Sequence, residues 1–105
     1  MKYLQVTTTA ESREDADRLA RALLDARVAA CVQIVGPITS SYWWKGGVET
    51  DEEWLCLIKT TMARFDELAE RIKELHSYET PEITAVPISQ GSPDYLAWIG
   101  RETGG

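Results

Sequence analysis

The chain has 105 residues, of which 44% are hydrophobic and 27% charged, the size and balance of one water-soluble globular domain. Seventeen acidic against eleven basic residues give a formal charge of −6, and Arg13, Arg18, Arg21 and Arg27 alternate with Glu14, Asp15, Asp17 and Asp25, so no basic patch is left for a nucleic-acid partner. The start MKYLQVTTTAES lacks a signal peptide's apolar core and no stretch of 18 apolar residues occurs, which excludes a membrane partner and, with no C-x-x-C around Cys31 and Cys56, points to a cytoplasmic protein with buried thiols.

Residues 2–9 are rich in β-branched side chains, with Leu4, Val6 and Thr8 on one face of a strand. Ser12 followed by Asp15 has the spacing of a capping box. The helix it opens carries Ala16, Leu19, Ala20, Leu23 and Leu24 on one stripe, and its outer face offers Glu14–Arg18 and Asp17–Arg21 as supporting ion pairs. Residues 28–35 form a second strand that ends at Gly36-Pro37, and extended character resumes from Ile38 through Tyr42-Trp43-Trp44. Lys45-Gly46-Gly47 is a hairpin turn, and the chain returns as a third strand over residues 48–60. A second helix over residues 63–75 turns Phe65, Leu68, Ala69, Ile72 and either Leu75 or His76 inward. Residues 83–88 give a fourth strand, and Ser92-Pro93 opens a short last helix with Tyr95, Leu96 and Ile99 facing in.

The order β-α-β-β-α-β predicts an α+β, ferredoxin-like fold: a four-stranded antiparallel sheet with both main helices on one face, built as one domain over residues 1–105. The hairpin arms, 28–44 and 48–60, are about three times and twice the usual strand length. At about 3.3 Å per residue the first arm would span about 50 Å, more than a domain with a radius of gyration of about 13 Å can cover. Gly36-Pro37 should bend or bulge that arm, yet the tip with Tyr42, Trp43 and Trp44 still projects. Adjacent aromatics on a projecting hairpin need cover, so the reading is a homo-oligomer paired through strand edges, with these three residues at the interface.

Function has to come from sites, because this fold carries many. The loop after the first strand has no thiol pair for a heavy-metal carrier, no glycine-rich phosphate loop occurs, and residues 49–53 lack a calcium-loop pattern and read as a solvated strand entry. Lys59 closes the third strand as a snorkelling or ion-paired lysine. Residues 76–83, HSYETPEI, hold the single histidine. Pro81 makes them a helix-to-strand corner, and the same corner gathers His76, Tyr78, Glu79 and Glu82. Imidazole with carboxylates suits a borderline divalent metal, so His76, Glu79 and Glu82 are the candidate metal contacts. No nucleophile pairs with His76, which argues against an enzyme.

The segments AACVQI (29–34), SYWWKG (41–46), IKTT (58–61), HSYETPEI (76–83), PI (87–88) and DYLAW (94–98) together resemble the CutA family of divalent-cation-tolerance proteins. The resemblance implies a homotrimer with embracing hairpins, a link to tolerance of copper and other divalent cations, similarity to the trimeric PII signalling proteins, and no enzymatic reaction. It also implies Cu(II) or another divalent cation as the only cofactor to expect. Lys59, Tyr95 and Trp98 match positions near an inter-subunit cleft in relatives, so Lys59, Tyr78, Glu79 and Trp98 would line a small-molecule site if the protein is a PII-like sensor. Ser77 stands where relatives have proline, and Thr7 or a neighbouring threonine stands where the metal-ligating thiol of relatives lies.

Overall fold

Strand β1 (Tyr3–Ala10) alternates as expected in its first half: Leu4, Val6, Thr8 and Ala10 are buried, with Tyr3, Gln5 and Thr7 half-covered on the opposite face. The computed structural model describes residues 2–104, and in it β1 is a central strand. It pairs antiparallel with β3 (Gly47–Thr61) from Tyr3↔Thr61 to Ala10↔Trp54, and with β4 (Thr84–Pro87) on its other side. Strand β2 (Cys31–Trp44) pairs with β3, giving the sheet order β2-β3-β1-β4. This is the ferredoxin-like arrangement expected from the sequence.

Helices α1 (Arg13–Asp25) and α2 (Phe65–Leu75) bury Ala16, Leu19, Leu23, Leu68 and Ile72 against Leu4, Val6, Cys56 and Ile58 on one face of the sheet. The apolar stripes read from the sequence drive this packing, since burying a large aliphatic side chain is worth about 1.5–3 kcal/mol. Ser12 caps α1 by accepting the Asp15 amide at 3.1 Å. The ion pairs on the outer face differ from those expected: Asp17 pairs with Arg13, Asp15 with Arg18 and Asp25 with Arg21. Leu24 and Leu75, at the stripe margins, are 36% and 53% exposed. Residues 62–64 form a turn of 3-10 helix that delays α2 to Phe65.

Helix α3 (Pro93–Glu102), capped by Ser92, packs against β3 and β1 and buries Ile99 apart from the main core. Tyr95 does not turn inward as expected; it is 41% exposed. Its hydroxyl lies near Cys31, whose neighbours Val32 and Ile34 pack on the core, so α3 covers one part of the sheet face that α1 and α2 leave free, here called the helix-free face. That face also carries Lys59, Gln33 and Leu57 and is otherwise open, with Val35 48% and Val86 55% exposed.

The hairpin is long and continuous. Its register changes between Val35↔Leu55 and Ile38↔Glu53, so Gly36 and Pro37 together oppose Trp54: a β-bulge at the break seen in the sequence. A Cβ on Gly36 would lie 2.5 Å from the Trp54 ring, and glycine alone fits there. The bulge exchanges the faces of β2. Before it, Val32 and Ile34 face the helices; beyond it, Tyr42 and Trp44 share the helix-free side with Glu49, Asp51 and Glu53. Lys45 and Gly46, with φ of 49° and 84°, form the two-residue turn, and the molecule extends to 44 × 25 × 22 Å.

Candidate functional site

Where the hairpin leaves the core, a cleft of about 440 Å³ opens on the helix-free side. Thr9, Tyr42, Trp44 and Glu53 form its strand wall, and the corner after α2 supplies Ser77, Tyr78, Glu79, Thr80 and Glu82. Its charged groups are all carboxylates.

His76 ends α2, its amide bonded to the Ile72 carbonyl at 2.9 Å. The half-buried ring ties the corner down. Nε2 lies 2.6 Å from the Thr9 carbonyl, and Nδ1 accepts the Tyr78 amide at 3.0 Å. A carbonyl only accepts and an amide only donates, so the ring is neutral with its proton on Nε2. Both nitrogens are thereby engaged within the chain. This changes the expected role of His76 from metal contact to latch: no lone pair is left to coordinate a cation unless the Tyr78 bond breaks. Among the described residues no group of three or more His, Cys, Asp and Glu side chains is placed to hold a metal ion, so His76, Glu79 and Glu82 do not form a ligand trio. Glu82 accepts from the Thr84 hydroxyl at 3.2 Å, and Glu79 is exposed at the cleft rim.

The latch holds Tyr78 with its ring centroid 4.7 Å from that of His76. The Tyr78 hydroxyl donates to Glu53 Oε2 at 2.7 Å. Burial and the Glu53 carboxylate push the Tyr78 phenol well above the ordinary tyrosine value. Tyr42 donates to Asp51, and that bond, with burial and the charges of Asp51, Glu53 and Glu49, raises its pKa to about 12. Both phenols therefore stay protonated donors at neutral pH.

Glu53 is the residue the sequence reading missed. Its acidic neighbours make it read as part of a solvated strand entry, yet it is only 7% exposed. The signal was its parity: Glu53 shares a face with Leu55 and Leu57, whereas Glu52 points the other way.

The remaining candidates lie elsewhere. Lys59 donates to Gln33 at 2.7 Å, six residues along β3 from Glu53, or roughly 20 Å. Trp98 stacks near Tyr95 on α3, with centroids 5.6 Å apart. Within one chain, therefore, Tyr78 and Glu79 line the cleft and Lys59 and Trp98 do not. Thr7 is half-buried in β1, paired with Leu57 and Thr84, two residues from the Thr9 carbonyl that holds His76. Cys56 is buried, and burial raises its thiol to about 11.

The family model for the CutA1 divalent ion tolerance protein matches residues 4–102. The chain belongs to the CutA1 family. It is 48% identical over 99 residues to the divalent-cation tolerance protein CutA of Thermus thermophilus, covering 94% of this chain and 96% of that one. The solved structure of the Thermus thermophilus protein superimposes with a TM-score of 0.95 at 47% identity, over 97% of this chain and 99% of the other. Rice CutA1 superimposes equally well, with a TM-score of 0.95 at 40% identity over 97% of this chain and 94% of the solved one. The rice chloroplastic CutA 1 sequence is longer, and the match spans 55% of it. The family shown is the one the sequence motifs resemble, and it is named for cation tolerance and not for a reaction.

Proposed function

We propose that this chain acts as a cytosolic homotrimer in tolerance of divalent cations, by weak cation binding or signalling and without catalysis. The observation that carries this reading is the cleft, where Glu53, Glu79 and Glu82 meet no basic side chain among the described residues. On a chain of net charge −6, such a concavity concentrates cations without demanding a rigid coordination sphere. The exposed apolar part of the helix-free face and the long hairpin support the trimer, since a neighbour's sheet would cover both. Two free thiols suit a reducing compartment.

Calorimetric titration with Cu(II) tests the binding part. The wild type should show weak, salt-sensitive heat, and replacing both Glu79 and Glu82 by Gln should abolish most of it. His76→Ala should weaken binding only indirectly, by loosening the corner that carries Glu79 and Glu82, and should therefore lower the melting temperature as well. An unchanged titration from the double variant would remove the cleft from cation binding.

A second reading, a PII-like small-molecule sensor, is favoured by the size and aromatic walls of the same cleft. In a trimer, Lys59 and Trp98 of a neighbouring chain could complete it, which one chain alone does not do.

A further inference from the structure

We infer that His76 is a pH-sensitive latch: a proton added to its ring releases the Tyr78 amide and, with it, the corner at residues 77–82 that follows α2. The device lies within one chain and responds to the proton alone, so it depends neither on what the cleft binds nor on how chains assemble.

The ring is held in a state with no place for a second proton. Nε2 carries the one proton and lies 2.6 Å from the Thr9 carbonyl, while Nδ1 accepts the Tyr78 amide at 3.0 Å. Protonating Nδ1 sets two N–H groups against each other across that short gap, and one of them has to move. The ring stays, because a positive charge strengthens its bond to the Thr9 carbonyl on the central strand β1. Tyr78 moves, because it sits in a segment that is neither helix nor strand, between α2 and β4. Its withdrawal pulls on the hydroxyl that donates to Glu53 and displaces the wall that Tyr78, Glu79 and Glu82 form.

The charges around the ring leave that amide as the deciding contact. Helix α1 brings Asp15 and Arg18, which pair with each other and line a cavity of about 190 Å³ beside the ring. Strand β1 brings the uncharged Thr9 and Ala10, and Glu11 just beyond it acts on the Tyr78 phenol. Glu53 of β3 and Tyr42 of β2 also act on Tyr78. Lys73 and Glu74 of α2 and Glu79 of the corner are exposed. A latched ring excludes the proton that a released ring accepts, so acidification through histidine's ordinary range, about pH 8 to 5, favours release.

The test is NMR of the full chain over that range, following the His76 ring nitrogens and the Tyr78 amide. Both should titrate with one midpoint, and Tyr78 amide exchange, corrected for its intrinsic pH dependence, should quicken about tenfold, the value of one hydrogen bond. In His76→Asn the side-chain carbonyl can accept the amide two residues on and does not titrate, so the corner signals should stay constant. If that variant does not fold, Tyr78→Phe keeps the amide bond but removes the hydroxyl tether, and release should begin at higher pH; an unchanged midpoint there overturns the proposal. An imidazole that titrates while the Tyr78 amide stays fixed also overturns it, as does an imidazole that stays neutral throughout. A corner that moves equally in His76→Asn does the same, and assigns the change to the carboxylates.

Discussion

Tyr78 is fixed at both ends, its amide by His76 and its hydroxyl by Glu53. The pairing has a definite pH signature. Tyr42 titrates near 12 when folded and the Tyr78 phenol is raised further, whereas an unfolded tyrosine ionises near 10. A group whose folded pKa is raised holds its proton more tightly in the native state. Its stabilisation is therefore complete below about pH 10 and is lost as pH rises through about 12. Urea unfolding from about pH 8 to about pH 11 should show falling stability, and Tyr78→Phe should flatten that fall; an equal slope in the variant would show that Tyr78 does not contribute. The sequence displayed the corner through Pro81 and the lone histidine. It could not display that both imidazole nitrogens are used, because the Thr9 partner is 67 residues away.

At the scale of elements, the strongly periodic segments were readable from the sequence and their edges were not. Helices α1 and α2 follow from apolar stripes, and the Ser12 cap from a short-range spacing. Strand β4 covers only Thr84–Pro87, shorter than expected, because its ends are set by pairing with Leu4 and Thr7. Ion-pair partners on α1 also escaped the reading, since Asp17 lies four residues from both Arg13 and Arg21, Arg18 has Glu14 and Asp15 within reach, and rotamer choice decides between them. The bulge was visible as Gly36-Pro37, but its exchange of faces needed the partner strand. Gly36→Ala would drive a methyl group into Trp54 and should destabilise the protein by about 1–3 kcal/mol, seen as a lower urea midpoint. An unchanged midpoint would mean that the Trp54 ring moves aside without cost.

For the whole molecule, the open sheet face and the hairpin bear on assembly. Val35 and Val86 remain half exposed in a chain whose α1 and α2 cover only the opposite face. If a neighbouring sheet covers them in the proposed trimer, Val35→Asp buries an unpaired carboxylate there. Sedimentation at micromolar concentration should then shift from trimer toward monomer, with the far-UV spectrum retained. A trimer of unchanged stability would place the interface elsewhere. The sequence suggested an oligomer because the arms were too long for one core, and the 44 Å long axis agrees with that length.

The half-step at residues 36–37 makes the hairpin tip a two-sided blade. Tyr42 and Trp44 look toward their own chain's corner, while Trp43, 75% exposed, looks out from the other side with Val48. Neighbouring letters of one aromatic triplet can therefore be tuned separately: Trp43 can vary without altering the cleft, and Trp44 without altering the outward surface. A chain one residue shorter at the bulge would keep these assignments, because the pairs from Ile38↔Glu53 to Trp44↔Gly47 are counted from the turn and a single residue would then face Trp54 in ordinary register.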